Sequence, residues 1–210
     1  MSTVTRPFRG VNADQRVLDR RNRLIAAGLD EVAEVGVAGL RMNTVCRRAR
    51  LSQRYFYEHF ANRDELLAAL FDDVMRDVFT QTVAAVDACG PGIVERASAA
   101  LAVFYDVIIS DVPRARLYAE SAGVAAVAAR KRVATDQYVA FVTEQVAAVV
   151  GPMDDRTTGR LAMATRVLVG GQVDAAVALA AGDVVISRAD YIALCARMLS
   201  DAIAAAASGV

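Results

Sequence analysis

Apolar residues return every three or four positions along most of this chain, and strand-like alternation of useful length is absent. From Asp14 to Val35 the recurring positions are Leu24, Ile25, Gly28, Leu29 and Val32, and Gly36 supplies a stop. Two short segments follow, about Met42 to Ala49 and Ser52 to His59, separated only by Arg50 and Leu51. Ser52 stands where it would cap the second of them. Asn62 opens a long helix, with Glu65 three residues on to complete a capping box. Its stripe of Leu67, Leu70, Phe71, Val74 and Val78 runs towards the break at Cys89-Gly90-Pro91-Gly92.

The second half reads as helices throughout. Ile93 to Ser110 carries Leu101, Phe104, Tyr105 and Ile108 at helical spacing, and Asp111 with Pro113 opens the next helix. Ser121-Ala122-Gly123 breaks it, and another runs to Val150 before Gly151-Pro152. Asp154 or Asp155 caps a helix reaching Ala181, with Gly182 as its stop; Ser187 and Asp190 start the last, through about Ala206. The expectation is an all-α protein of about nine helices, three small ones ahead of six larger ones. Residues 1–13, polar and containing Pro and Arg, read as a tail. No internal repeat is present.

Composition supports this picture. Of 210 residues 42 are Ala, against seven Phe, six Tyr and no Trp, which favours helix and excludes a β-sandwich or barrel. A hydrophobic share of 55% argues against long disorder. The longest quiet stretch, Val167 to Gly182, carries Gln172 and Asp174 and falls short of the roughly 20 apolar residues of a spanning helix. Met1 to Gly10 has no apolar block of a secretory signal. Cys46, Cys89 and Cys195 are odd in number and far apart, so neither a disulfide framework nor a zinc site is expected. A reduced, cytoplasmic protein that does not engage a membrane fits best.

Net charge is zero, yet it is unevenly spread. Up to Glu65 there are twelve arginines against eight acids; from Leu66 onward there are twelve basic residues against sixteen acids. Between Arg41 and Arg63 six arginines face Glu58 alone. A small basic module on an acidic remainder points to a polyanion bound at one end. Catalysis finds no support. The one histidine, His59, lies in the arginine-rich region, and no phosphate-binding, dinucleotide or nucleophile-elbow motif occurs. Asp72-Asp73 and Asp154-Asp155 are adjacent pairs that point to different faces. No catalytic residue, metal ligand or cofactor is assigned, and the chain reads as a non-enzyme.

The segment Asn43 to Phe60 is the informative one. Two short helices joined by a tight turn make a helix-turn-helix, whose second helix fits the major groove of DNA. Leu51, Phe56 and Phe60 would pack inwards on Val45 and Ala49, leaving Gln53, Arg54, Tyr55, Tyr57 and Glu58 outside. Gln and Arg form bidentate contacts with adenine and guanine edges, and tyrosine hydroxyls reach phosphates.

From Arg21 to Val74 these residues resemble the TetR-type (tetracycline-repressor-like) transcriptional regulators. Leu24-Ile25-x-Ala27-x-Leu29 with Val32 and Gly36 looks like that family's first helix, and Val45-Cys46-Arg47-Arg48-Ala49 like its second. Tyr55-Phe56-Tyr57-Glu58-His59-Phe60 resembles its recognition helix, and Asn62-Arg63-Asp64-Glu65-Leu66-Leu67 the start of its fourth. Two positions depart from the pattern. Arg50 stands where the family usually has glycine, and Arg41-Met42 where it often has Thr near the start of the second helix.

The resemblance implies a helix-turn-helix DNA-binding domain over residues 14–61 and a helical effector-binding and dimerisation domain over 62–210, connected by helix 62–88. It places Gln53, Arg54 and Tyr55 in the major groove, Tyr57 and His59 near its edge or the backbone, Arg63 on a phosphate, and Asn43 as a further contact. The last two long helices would form a homodimer interface, with Leu161, Ala164, Leu168, Gly171 and Ala175 on one and Leu199 on the other. Phe104, Tyr105, Tyr118, Tyr138 and Phe141 could line a ligand cavity, and Arg166 could anchor a polar ligand group. The expected protein is a ligand-responsive regulator, a repressor released from a palindromic operator by an unidentified small molecule. The alternatives are a helical small-molecule sensor without operator activity and an enzyme on a helical scaffold.

Overall fold

The computed structural model describes residues 9–208, and among them nine α-helices and no strand carry the fold. Helix α1 spans Arg9–Gly39 and so takes in residues 9–13, which the sequence assigned to the tail; residues 1–8 lie outside the described residues. Its regular turns break at Gly36, with φ 74° and ψ 174°, a conformation open almost only to glycine.

Helices α2 (Met42–Arg48) and α3 (Gln53–Tyr57) follow. In the turn between them the Arg50 N–H donates to the Arg47 carbonyl at 3.1 Å and the Leu51 N–H to that of Cys46 at 2.9 Å. This pair of bonds needs a left-handed residue after the helix. Arg50 supplies it at φ 52°, the one non-glycine with positive φ among the described residues. The departure from glycine is therefore met by strain and not by a different turn. Arg23 of α1 supports the turn by donating to the Ala49 and Arg50 carbonyls. Neither Arg41 nor Ser52, at the N-caps of α2 and α3, makes a side-chain capping bond, so the capping expected of Ser52 is not formed.

Helix α4 (Arg63–Ala88) begins as the sequence indicates, with Asn62 Oδ1 accepting the Glu65 N–H at 2.9 Å. Glu65 reaches back one residue further than a standard capping box, accepting the Ala61 N–H at 2.6 Å. Helix α5 (Ile93–Phe104) passes into a π-helical turn over Tyr105–Ile109, where the sequence reads one continuous helix. That wider turn buries Val107 and Ile108 while leaving Asp106 exposed. Helix α6 (Val112–Glu120) is capped by Asp111, and a short 3-10 turn, Ser121–Gly123, leads to α7 (Ala125–Val150). Asp154 caps α8 (Asp155–Ala181), Gly182 ends it at φ 77°, and α9 (Arg188–Ser208) completes the described chain.

Helices α1, α2 and α3 close around Leu24, Val32, Leu40, Val45, Phe56 and Phe60, all essentially buried. Helix α4 is shared. Its Leu66, Leu67 and Leu70 belong to the same continuous core as Phe71, Val74 and Val78 further along, which runs on to Ile108, Leu117, Tyr118 and Val127. A separate small cluster of Val146, Leu161, Ile203 and Ala206 joins α7, α8 and α9. Over Asp155–Leu179, α8 is long and apolar enough to cross a membrane by length and composition alone, a wider window than the stretch that falls short in the sequence. It also carries Arg156, Arg160, Arg166 and Asp174, and it packs on α7 and α9.

Candidate nucleic-acid interface and interior cavity

The inner faces of α2 and α3 are consumed by the core, through Val45, Cys46, Ala49 and Phe56, so their outer faces carry the polar residues by default. Asn43 and Gln53 are both exposed and brought together, with Gln53 Nε2 donating to Asn43 Oδ1 at 2.6 Å. Arg54 has an 85% exposed side chain and a 3.3 Å contact with Glu58 one turn on. Tyr57 is 55% exposed. Tyr55 is drawn against α1, where the Arg20 guanidinium lies 4.7 Å from its ring centre. Arg20 also approaches Glu58 at 3.9 Å.

The remaining two DNA-contact candidates are more enclosed. His59 is half-buried, and its Nε2 has no hydrogen-bond partner. Burial and the nearby positive Arg20 push its pKa below 6.5, with Glu58 opposing and Arg21 adding to the depression. Arg63 pairs with Asp64 at 3.3 Å and donates to the Val37 carbonyl at the end of α1. The arginine cluster therefore divides. Arg48 is held by Glu34 at 2.6 Å and Glu31 at 3.3 Å, both from α1, and Arg41 bonds the Ala38 carbonyl at 3.3 Å. Arg47 and Arg50 are exposed and make no ion pair among the described residues.

The broken end of α1 is pinned by α6 as well as by Arg63. Arg116 donates to the Ala33 carbonyl at 2.7 Å, and Glu120 Oε2 accepts the Val37 N–H at 2.7 Å. The two α6 side chains also bond each other at 2.8 Å. A Cβ on Gly36 would lie 2.5 Å from Glu120 Oε2 and 2.6 Å from Arg116 Nη2, the ends of flexible side chains that can shift, so it is the backbone at φ 74° that requires glycine.

Within α4 to α9 lies an interior cavity of about 120 Å³. Phe71, Met75, Leu101, Phe104, Val142 and Leu199 give it an apolar wall; Lys131, Thr135, Tyr138 and Gln172 are its polar groups. Of the six cavity candidates, Phe104, Tyr118 and Tyr138 line it. Phe141 lines an adjoining space with Ala97, Ala100 and Val142. Tyr105 packs on Tyr191, ring centres 5.3 Å apart. Arg166 is on the surface, paired with Asp136 at 2.5 Å, and reaches neither space. Burial keeps the Tyr138 phenol protonated, its pKa pushed up to about 12, and raises that of Tyr118 further.

Lys131 is the cavity residue that sequence reasoning missed. Its ammonium donates to the Tyr118 carbonyl at 3.0 Å and lies 5.1 and 5.8 Å from the ring centres of Tyr118 and Phe71. A signal was available: it is the only lysine in the chain, against 23 arginines.

The dimer candidates fall on several surfaces. Leu161 is buried inside the subunit and Leu199 turns to the cavity. Ala164, Leu168 and Ala175 are half-buried, and Gly171 is exposed. Outward on α8 and α9 stand Met163, Val167, Leu194 and Met198, each about half or more exposed. Between these helices runs an apolar groove of about 460 Å³, lined by Leu168, Gly171, Ala175, Leu194 and Met198 among others.

Comparison with known proteins bears on the same regions. The sequence model of the bacterial regulatory proteins, tetR family, matches residues 24–70, which span the last part of α1 through the start of α4. The HTH-type transcriptional regulator BetI of Burkholderia thailandensis is 33% identical over 100 residues, covering 48% of this chain and 41% of that protein. The match thus takes in less than half of the relative's length. A TetR-like transcriptional regulator from Rhodococcus sp. RHA1 has the same fold, with a TM-score of 0.64 and 18% identity over 88% of this chain and 96% of that one. So does FadR of Bacillus subtilis, solved with stearoyl-CoA, with a TM-score of 0.66 and 14% identity over 87% of this chain and 97% of that one. The helix-turn-helix part, residues 24–70, thus belongs to the tetR family of bacterial regulatory proteins, and the chain as a whole shares the fold of such regulators.

Proposed function

We propose that the chain is a homodimeric, cytoplasmic transcriptional regulator that binds an operator through α3 and is released from it by a small molecule held in the interior cavity. Residues 14–61 form the DNA-binding part, α4 connects it, and the helices that follow bind effector and partner. The observation that carries this reading is the outer face of α2 and α3. It sets Arg47, Gln53, Arg54 and Tyr57 in solvent, with only the Tyr57 ring touching the core, edge to face on Phe56. Gln53 and Arg54 are the base readers, Arg47 and Tyr57 the phosphate contacts, and Asn43 orients Gln53 through their bond. Arg63, tied to the end of α1, acts on the backbone contact by position more than by reach.

A single recognition helix reads only a half-site, so paired half-sites require two copies. The exposed Met163, Val167, Leu194 and Met198 and the open groove beside them support α8 and α9 as the surface that joins them. A Cβ on Gly170 or Gly171 would meet nothing within 4 Å, which leaves room for a partner helix to approach closely. Effector control then works as a population shift. A ligand favouring the state with mis-spaced recognition helices weakens operator binding by the same coupling factor.

The test is fluorescence anisotropy with the duplex upstream of the protein's own coding sequence, at several salt concentrations. Tight binding with a steep salt slope and two protomers per site is expected. Binding no tighter than to random DNA, in a genome-wide selection as well as on that duplex, would overturn the operator reading and leave a ligand sensor.

A further inference from the structure

We infer that the interior cavity takes an apolar ligand bearing a single anionic group, a carboxylate on an alkyl chain or fused aromatic ring, and that Lys131 binds that group. The inference rests on the reading of the chain as an effector-responsive regulator and names the chemistry of its effector.

Lys131 is a cation without a counter-ion. No carboxylate lies within ion-pair distance of it among the described residues, and no acid lines the cavity. An ammonium has three N–H donors, and the Tyr118 carbonyl takes one. The Phe71 and Tyr118 rings hold the charge by their π faces without neutralising it. Burial depresses the pKa of this group, the direction an entering anion would reverse.

The other polar groups of the cavity offer no positive charge. Tyr138 and Thr82 share a 3.5 Å contact, and Gln172 is engaged by the Tyr191 hydroxyl. A cationic ligand would meet Lys131 and no acid. A dianion or phosphate would meet one ammonium and no arginine, since no arginine lines this space. A monocarboxylate on an apolar body matches both the charge and the wall, accepting the two N–H groups that the Tyr118 carbonyl leaves unused. The competing role for Lys131 is to cap the last carbonyls of α6, which Tyr118 belongs to.

Calorimetric titration of the full chain with decanoate against decanamide, and 2-naphthoate against 2-naphthamide, separates the two. At least one acid should bind about ten- to a hundredfold more tightly than its amide. Lys131→Met should erase that preference while still admitting the amide, and Lys131→Arg should keep most of it. Because this is the only lysine, reductive methylation with labelled formaldehyde adds a second readout: its dimethylammonium resonance should shift and titrate at higher pH with the acid bound. Equal binding of acid and amide, an undiminished preference in Lys131→Met, or no binding of any of the four at millimolar concentration would overturn the inference. Duplex binding by the same preparation keeps the two readings apart. If it is intact without an acid preference, only the ligand class fails. If it is absent while the preference stands, the regulator reading fails instead.

Discussion

Replacing Arg50 by glycine should make this protein more stable, although an arginine side chain is lost. Arg50 sits at φ 52° in a turn whose two backbone bonds, to Cys46 and Arg47, fix that conformation. Its side chain is exposed and unpaired among the described residues, and Arg23 bonds only its carbonyl, so the substitution removes no contact. A left-handed backbone costs an L-residue about 1–2 kcal/mol, and glycine's greater freedom in the unfolded chain returns about 0.5–1 kcal/mol of that. The net gain is about 0.5–1 kcal/mol, or roughly 1–4 °C in Tm for a chain of this size. Arg50→Ala is the control, because it removes the same charge and keeps the Cβ. It should stay within about 0.5 kcal/mol of the parent. Thermal unfolding by circular dichroism, at one fixed protomer concentration, reads all three proteins. If glycine is no more stable than alanine at this position, the turn carries no strain and the argument fails.

Gly36→Ala should do the opposite, lowering stability by about 1–3 kcal/mol on the same melts, because φ 74° and ψ 174° exclude a Cβ. Arg54→Ala should cost about 1–3 kcal/mol at one base pair and relax specificity there, as read by a panel of single-substitution duplexes. Arg47→Ala should instead weaken all duplexes alike and reduce the salt slope by about 1. His59 gives a pH dependence. Its folded pKa lies below the ordinary 6.5, so the unfolded chain takes up the proton first as pH falls. Its stabilising contribution is whole above about 6.5 and is lost as pH drops through the folded pKa; melts of parent and His59→Gln should therefore converge in acid.

The elements that the sequence announced were those whose signals are local. Asn62 and Glu65, Asp154, and Gly182 act within one turn of the chain, and the structure has all three helix boundaries. Side chains that cross between elements were not legible. The acids that hold Arg48 lie 14 and 17 residues before it, so a count over Arg41 to Arg63 overstated the free charge. For Arg166 the sequence left a ligand anchor, solvent and the dimer partner open; its helical phase points it outward to Asp136 of α7. A shift of two positions on α8 likewise separates Leu161, buried, from the exposed Met163. The π turn at Tyr105 also shifts phase, which apolar spacing alone does not reveal.

Helix α4 alone is an incomplete account of how the two ends of this molecule communicate. The chain from Ala33 to Val37 is the last part of α1 before α2, and three groups from outside the three-helix unit grip it: Arg63, Arg116 and Glu120. Two of these belong to α6, and Lys131 bonds the Tyr118 carbonyl of that same short helix, two residues before Glu120. A carboxylate seated on the two unused N–H groups of Lys131 would therefore lie one hydrogen bond away from the end of α6 from which Glu120 holds Val37. The absence of a Cβ at Gly36 lets the Glu120 carboxylate and the Arg116 guanidinium approach the α1 backbone closely, which couples α6 to the end of α1. On the proposed function, the sign of the response then depends on whether α1 and α4 move together. Both carry groups that hold the recognition unit, and a displacement of α6 alone would set them against each other.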